Sequence, residues 1–329
     1  MGAAITGWGT ALPDREVTNE ELAKSLDVSP DWIFERTGIR TRRVAADEDS
    51  AASLATVAAR RALERAEIQP DELDLVLLAT STPVAQMPAT SSLVQAGLGA
   101  INAGAFDLNA ACSGFLVALA QGSAQVEAGM LRRVLVCGAD LLSRVLDYSD
   151  PRTCILFGDG AGAVVLEAGP GMTRVGPFRI RSDGTKAHLL HIPPEDGHLR
   201  MQGREVYRHA VARMTDSVKE VLEAGDVTID DVDLLVAHQA NARIVEAVAA
   251  RVGLEPRKAM LNIHRLGNTS AASIPLALAE AVSTGRLDDG DLVVVAAFGA
   301  GFVWGAGLVR WGSGAIAVDE LVTAGSARA

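Results

Sequence analysis

Three residues of different chemistry stand where the chain passes from one element to the next. Cys112 lies in Asp107-Leu-Asn-Ala-Ala-Cys112-Ser-Gly-Phe115, where an apolar run ends and a long, almost uncharged helix over about 113–129 is expected. A thiol at a helix N-terminus meets unpaired N–H groups and the positive end of the macrodipole, and both favour thiolate over thiol. Ala110, Ala111, Ser113 and Gly114 leave room beside the sulfur for a substrate. The same context also suits a buried core thiol, the commoner fate of a lone cysteine. His238 occurs in Val236-Ala-His238-Gln-Ala-Asn241-Ala-Arg243-Ile244, and Asn268 in Gly267-Asn268-Thr-Ser-Ala-Ala-Ser-Ile-Pro275. Alone, the first also reads as a buried structural histidine and the second as a helix N-cap. Together the three supply a nucleophile, a proton handler or hydrogen-bond donor, and a fixed amide donor. The small-residue turn Ala297-Phe298-Gly299-Ala300-Gly301-Phe302 can expose backbone N–H groups. With the Cys112 N–H they would form an oxyanion hole for an acyl thioester.

The elements that must position these residues occur twice. Leu63-Glu-Arg-Ala-Glu-Ile68-Gln-Pro-Asp71-Glu-Leu-Asp74-Leu75 is similar to Leu222-Glu-Ala-Gly-Asp-Val227-Thr-Ile-Asp230-Asp-Val-Asp233-Leu234, at an offset of 159 residues. Carried forward without a gap, that offset sets Asn109 against Asn268 and Val134 against Val293. Each half then holds helix, acidic turn, buried strand, loop, small-residue helix and a second buried strand. The runs 73–79, 134–138, 234–237 and 292–297 are continuously apolar, which suits sheets covered on both faces. The expected class is α/β: two sheets with helices outside and between, in a five-layered αβαβα arrangement. Two related helix starts meeting at a pseudo-two-fold axis would bring Asn268 near Cys112. The halves are placed at 1–168 and 169–312, with a tail at 313–329. Residues 184–203, rich in Gly, Pro, His and charge, read as a surface loop or cap.

With 329 residues, 49% of them hydrophobic, the chain is long enough for a large double domain of an ordinary α/β enzyme. A net charge of −11 argues against broad nucleic-acid binding. Three cysteines are too few, and odd in number, for a disulfide framework, so a cytoplasmic location is expected, with Cys137 and Cys154 as inert core thiols. The N-terminus lacks the pattern of a signal peptide, and no run approaches the roughly 20 apolar residues of a membrane span.

At these residues the chain resembles the 3-ketoacyl-acyl-carrier-protein synthase III family of the thiolase-like superfamily. The likeness runs from about residue 5 to 311. It rests on Asp31-Trp32-Ile-Phe-Glu-Arg36-Thr-Gly-Ile-Arg40, Ala111-Cys112-Ser-Gly-Phe115, Phe157-Gly-Asp-Gly-Ala-Gly162 and the two motifs around His238 and Asn268. The resemblance implies a decarboxylative Claisen condensation through an acyl-cysteine on Cys112, with His238 and Asn268 stabilising the enolate and Phe298 orienting the site. It implies no bound cofactor: acyl-CoA and malonyl-acyl carrier protein are substrates. Trp32 and Arg152 would clamp the adenine of CoA, Arg36 and Arg243 would meet phosphates, and Gly203 and Asn241 would line the pantetheine tunnel. Met87 would complete the acyl pocket of the other subunit of a homodimer, which points to a short primer. Arg204, Arg208, Arg243 and Arg251 could form a basic patch for the acidic carrier protein.

The chain departs from the family pattern at Pro151-Arg152, which shifts the expected arginine by one place, and at Arg204 and Val303. The nearest rival is a relative that loads starter units in polyketide or other secondary metabolism. Degradative thiolases need a second, C-terminal cysteine, and none follows Cys154. Hydroxymethylglutaryl-CoA synthase-like enzymes need a first-half glutamate, and none lies between Glu72 and Glu127. A papain-like hydrolase shares the order Cys, His, Asn but lacks that family's cysteine signature and leaves the duplication unexplained. The glycines at 158–162 lead into a strand-like run, so a dinucleotide-binding reading fails its context. A metal site at His188, His191 and His198 has no Cys or carboxylate support.

Overall fold

The computed structural model describes residues 2–169 and 175–312. The expected tail 313–329 lies outside them, as do 170–174 beside the expected boundary.

The strands are β1 (Gly2–Ala11), β2 (Arg15–Thr18), β3 (Thr41–Val44), β4 (Leu75–Ala79), β5 (Gly104–Leu108), β6 (Arg133–Leu141), β7 (Asp159–Gly169), β8 (Val175–Ser182), β9 (Leu190–His191), β10 (Arg200–Met201), β11 (Leu234–Ala237), β12 (Leu292–Gly299) and β13 (Val303–Arg310). The helices are α1 (Asn19–Ala23), α2 (Pro30–Thr37), α3 (Ala51–Ala66), α4 (Thr90–Leu98), α5 (Gly114–Glu127), α6 (Gly203–Ala224), α7 (Ala242–Val252), α8 (Ile263–Leu266) and α9 (Ser273–Ser283).

Two mixed sheets carry the fold, in orders β1-β7-β6-β4-β5 and β11-β12-β13-β8. In the first, β4 runs parallel to β5 and β6; in the second, β11 runs parallel to β12. Helices α5 and α9 lie between the sheets, α3 packs on the outer face of the first and α6 on the outer face of the second. That gives the five layers. The central helices can be buried because their chains are almost free of charge: Phe115, Leu116, Ala118 and Leu119 of α5, and Ile274, Leu276, Ala277 and Leu278 of α9, are all in the core.

The duplication extends to individual hydrogen bonds. Leu75 pairs with Val134 in one sheet, and its counterpart Leu234 pairs with Val293 in the other. Glu67 and Asp226, at matching positions, both adopt left-handed backbone, with φ of 57° and 53°. Asp74 caps the N–H of Arg133 just as Asp233 caps that of Leu292, each at 2.9 Å. A carboxylate on the first N–H of an incoming strand fixes where the strand starts, and so fixes where its far end delivers the chain.

The segment 184–203 is a cap, but one with its own core. It forms a 3₁₀ turn and the β9–β10 pair, and its Leu189, Leu190 and Leu199 are buried.

Candidate active site

The strands β4, β6, β11 and β12 deliver their ends to one junction between the sheets. There the two equivalent turns meet. In the first, Asn109 Oδ1 accepts from Ala111 N at 3.1 Å and Ala111 takes φ +48°. In the second, Asn268 Oδ1 accepts from Ser270 N at 2.9 Å and Ser270 takes φ +50°. Left-handed backbone at non-glycine residues costs on the order of 1 kcal/mol or more, so the surrounding contacts hold both turns. Each turn tightens into one 3₁₀ turn, Ala111–Ser113 or Ser270–Ala272, before its helix begins. Cys112 thus sits on the tight turn ahead of α5, and Ser113 Oγ ties that turn to Val303 O at 2.8 Å.

The thiol faces a cavity of about 900 Å³ that also receives His238, Asn268, Phe298 and Ala300. Ser270 Oγ lies 3.4 Å from Cys112 Sγ. Asn268 spends its carbonyl oxygen on the turn, which leaves Nδ2 to donate into the cavity. His238 Nδ1 is 2.7 Å from Ser273 Oγ, which leaves Nε2 for a ligand. Burial pushes the His238 pKa down to about 3, so the ring is neutral at pH 7.

The expected thiolate is corrected. Burial pushes the Cys112 thiol up to about 11, and the charge of buried Asp140 adds to this; the Ser270 hydroxyl and the residue's own N–H pull back only in part. Desolvation outweighs the helix terminus, and the resting group is a thiol.

The two turns differ at one position in what caps their N–H groups. Asp140, fully buried, accepts from Ala271 N at 3.2 Å through Oδ2 and from Ser81 N at 2.6 Å through Oδ1. Ala271 is the counterpart of Cys112, and the counterpart of Asp140 is Gly299. With no side chain there, nothing from that strand caps the Cys112 N–H. The approach is so close that a Cβ on Gly299 would stand 2.8 Å from Cys112 N and 2.9 Å from Ser113 N. The Cys112 N–H therefore stays open to a ligand's oxygen. Phe298 and Gly299 belong to β12 and not to the turn, and Phe298 meets Phe302 edge-on with centroids 4.6 Å apart. Gly301, expected at the oxyanion hole, does not line the cavity.

Toward its mouth the cavity is lined by Trp32, Arg36, Arg152, Gly203, Asn241 and Arg243. Ser29 caps α2, Pro30 starts it and left-handed Gly38 ends it, so Trp32 and Arg36 fall one turn apart on one face. The partner on Trp32 is Arg36, whose guanidinium lies 4.4 Å from the ring centroid. Arg152, expected opposite Trp32, forms a two-bond ion pair with Asp150 at 2.8 and 3.1 Å. Asn241 caps α7 through Arg243 N at 3.0 Å and ties it to α2 through Arg36 O at 2.9 Å. Arg204 also lines the mouth, whereas Arg208 pairs with Glu205. Met87 is 85% exposed and lies outside the cavity of its own chain. Cys137 and Cys154 are buried, as expected. Sequence reasoning gave no role to Ser270, Ser273 and Asp140. The two serines lie inside the quoted Asn268 motif, but their partners lie 158 and 35 residues away.

Two mixed sheets enclosing paired helices, with a cysteine on the turn at their junction, define the α/β thiolase-like fold. The crystal structure of 3-oxoacyl-[acyl-carrier-protein] synthase III from Aquifex aeolicus VF5 superposes with a TM-score of 0.92 at 44% identity, covering 94% of this chain and 100% of that one. The priming β-ketosynthase of the R1128 polyketide pathway gives 0.91 at 36% identity, over 94% and 96%. Residues 106–184 match the family model described as 3-oxoacyl-[acyl-carrier-protein (ACP)] synthase III, and 222–311 match that of its C-terminal part. The β-ketoacyl-[acyl-carrier-protein] synthase III of Erythrobacter litoralis is 50% identical over 318 residues, 94% of this chain and 99% of that protein. The chain belongs to the 3-oxoacyl-acyl-carrier-protein synthase III family, and it is an acyltransferase of the condensing type.

Proposed function

We propose that the chain initiates fatty-acid synthesis by condensing a short acyl-CoA with malonyl-acyl carrier protein through an acyl group on Cys112. The observation that carries this is a half-buried thiol with an uncapped N–H, sharing a cavity with two donors, Asn268 Nδ2 and His238 Nε2, whose other polar atoms are already held.

In the first half-reaction Cys112 Sγ attacks the thioester carbonyl. The Cys112 N–H stabilises the oxyanion, the carbon–sulfur bond to CoA breaks, and the departing CoA sulfur takes the proton the thiol gives up. In the second, the malonyl carboxylate leaves as CO₂ and its bonding pair moves onto the thioester as an enolate. Neutral donors at His238 and Asn268 suit that oxygen, because both hydrogen bonds strengthen as charge develops. The enolate carbon then attacks the acyl-cysteine, and the sulfur leaves as thiolate and regains a proton.

Trp32 and Arg36 would receive the adenine end of CoA. The exposed arginines at the mouth, Arg36, Arg152, Arg204 and Arg243, suit CoA phosphates and an acidic carrier protein. A second copy of the chain is supported by β5, an edge strand of the first sheet whose Phe106 is 46% exposed beside exposed Val84, Met87 and Leu93. Such an apolar edge needs cover, and Met87 would then reach the partner's acyl pocket. A cytoplasmic location fits three free thiols. Among the described residues no helix is long and apolar enough to cross a membrane. The likeness to the R1128 enzyme keeps polyketide priming as the second reading; a panel of acyl-CoA lengths and branches separates the two.

The test is intact-protein mass spectrometry after incubation with acetyl-CoA. The wild type gains one acetyl group and Cys112→Ala gains none; an adduct persisting in that variant refutes the assignment.

A further inference from the structure

We propose that Ser273 is a positioning residue that sets the tautomer of His238, holding the ring proton on Nε2 where it faces the cavity. This rests on the donor role given above to His238.

His238 and Ser273 are each 1% exposed, and their Nδ1 and Oγ atoms are 2.7 Å apart. A neutral imidazole carries one proton, so one ring nitrogen donates and the other accepts. Five other hydroxyls in or at the ends of helices show what Ser273 could have done. Thr37, Thr56, Ser123, Thr215 and Thr284 each donate to a carbonyl three or four residues back. Among the described residues the Ser273 hydroxyl bonds no carbonyl, and His238 is its hydrogen-bond partner.

Proton accounting then selects the direction. If Nδ1–H donated to Oγ, the serine proton would be buried without an acceptor, which is costly. If the serine O–H donates to Nδ1, both protons are placed and the ring proton falls on Nε2. Burial supports the same end by keeping the ring neutral. The turn that carries Ser273 also fixes the other donor, because Ser270 N holds Asn268 Oδ1. One six-residue stretch, 268–273, thus orients both hydrogen-bond donors.

The experiment is ¹⁵N NMR of the full-length protein labelled at histidine, with the His238 signals among the six histidines identified by their loss in His238→Asn. The wild type is expected to show a protonated Nε2 and an unprotonated Nδ1. Ser273→Thr keeps that pattern, and Ser273→Ala moves it toward Nδ1–H or a mixture. CO₂ release from malonyl-acyl carrier protein falls on the order of 10²-fold in Ser273→Ala, the loss of one oriented donor, and recovers in Ser273→Thr. A wild-type Nδ1–H tautomer, or an unchanged tautomer in Ser273→Ala, overturns the proposal. If Ser273→Ala does not fold, Ser273→Cys, whose S–H is a weaker donor, takes its place with the same expected shift, and an unchanged tautomer there overturns the proposal. A moved tautomer with unchanged CO₂ release leaves the Ser273 assignment standing and removes the donor role of His238.

Discussion

Replacing Gly299 by alanine tests the close approach that leaves the Cys112 N–H open. The added Cβ would lie 2.8 Å from Cys112 N, 2.9 Å from Ser113 N and 3.1 Å from Ala110 O. All three are backbone atoms, so no flexible side chain can swing aside. Reaching an ordinary contact of 3.4 Å requires the turn to move by roughly 0.6 Å. That turn is held on its other side by Ser113 Oγ on Val303 O. Overpacking of this kind costs about 1–3 kcal/mol, and in a domain of this size that is a few degrees of melting temperature. A 1 Å error in placing a reacting atom costs about 10²-fold, so the acylation rate is expected to drop about 10-fold. The assay is stopped-flow release of CoA in the acylation half-reaction, with a thermal melt beside it. Gly184→Ala is the control, because no atom lies within 4 Å of its Cβ position. Acylation within twofold of wild type and an unmoved melt in Gly299→Ala would refute the reasoning.

Asn268→Ala removes one donor from the cavity, so CO₂ release falls about 10²–10³-fold while acetyl transfer to Cys112 survives; equal loss of both steps counts against the division of labour. Asp140→Asn removes a charge that helps hold the Cys112 thiol near 11, so alkylation by iodoacetamide at pH 8 should speed up several-fold, and an unchanged or slower rate contradicts the electrostatic argument. His238 stays neutral in the fold down to about 3, against 6.5 for the free ring. The unfolded chain therefore binds more protons below 6.5, and stability falls as pH drops. Urea melts between pH 6.5 and 5 should show wild type losing roughly 1.5–2 kcal/mol more than His238→Gln; parallel losses would be inconsistent with a neutral buried ring.

The four apolar runs became β4, β6, β11 and β12 because short stretches rich in Val and Leu suit strands of a sheet covered on both faces. The 159-residue offset was legible because both halves keep the same acidic residues where strands start, Asp74 and Asp233. What stayed hidden depends on contacts across the junction. The thiol's pKa follows from burial and from Asp140, which reaches the site through another strand. Nothing about an alanine announces the left-handed backbone of Ala111. The Trp32–Arg36 stack was implicit in their spacing of four on a capped helix, whereas the Arg152–Asp150 pair depends on how their loop folds. The polar composition of 184–203 concealed the three leucines that anchor the cap.

The exchange of Asp140 for Gly299 has a further consequence. A chain built from two like halves contains two seats for an anion at the same junction. In one the protein's own Asp140 carboxyl accepts from Ala271 N, and in the other Gly299 brings no side chain to the Cys112 N–H. The counterpart of the nucleophile is Ala271, and that of His238 is Ala79. Each half thus keeps what the other lacks, so neither half can work alone or substitute for the other. The molecule is an internal dimer with a single working centre, and in its silent half the bond from Ala271 N to Asp140 pins the turn ahead of α9 to β6.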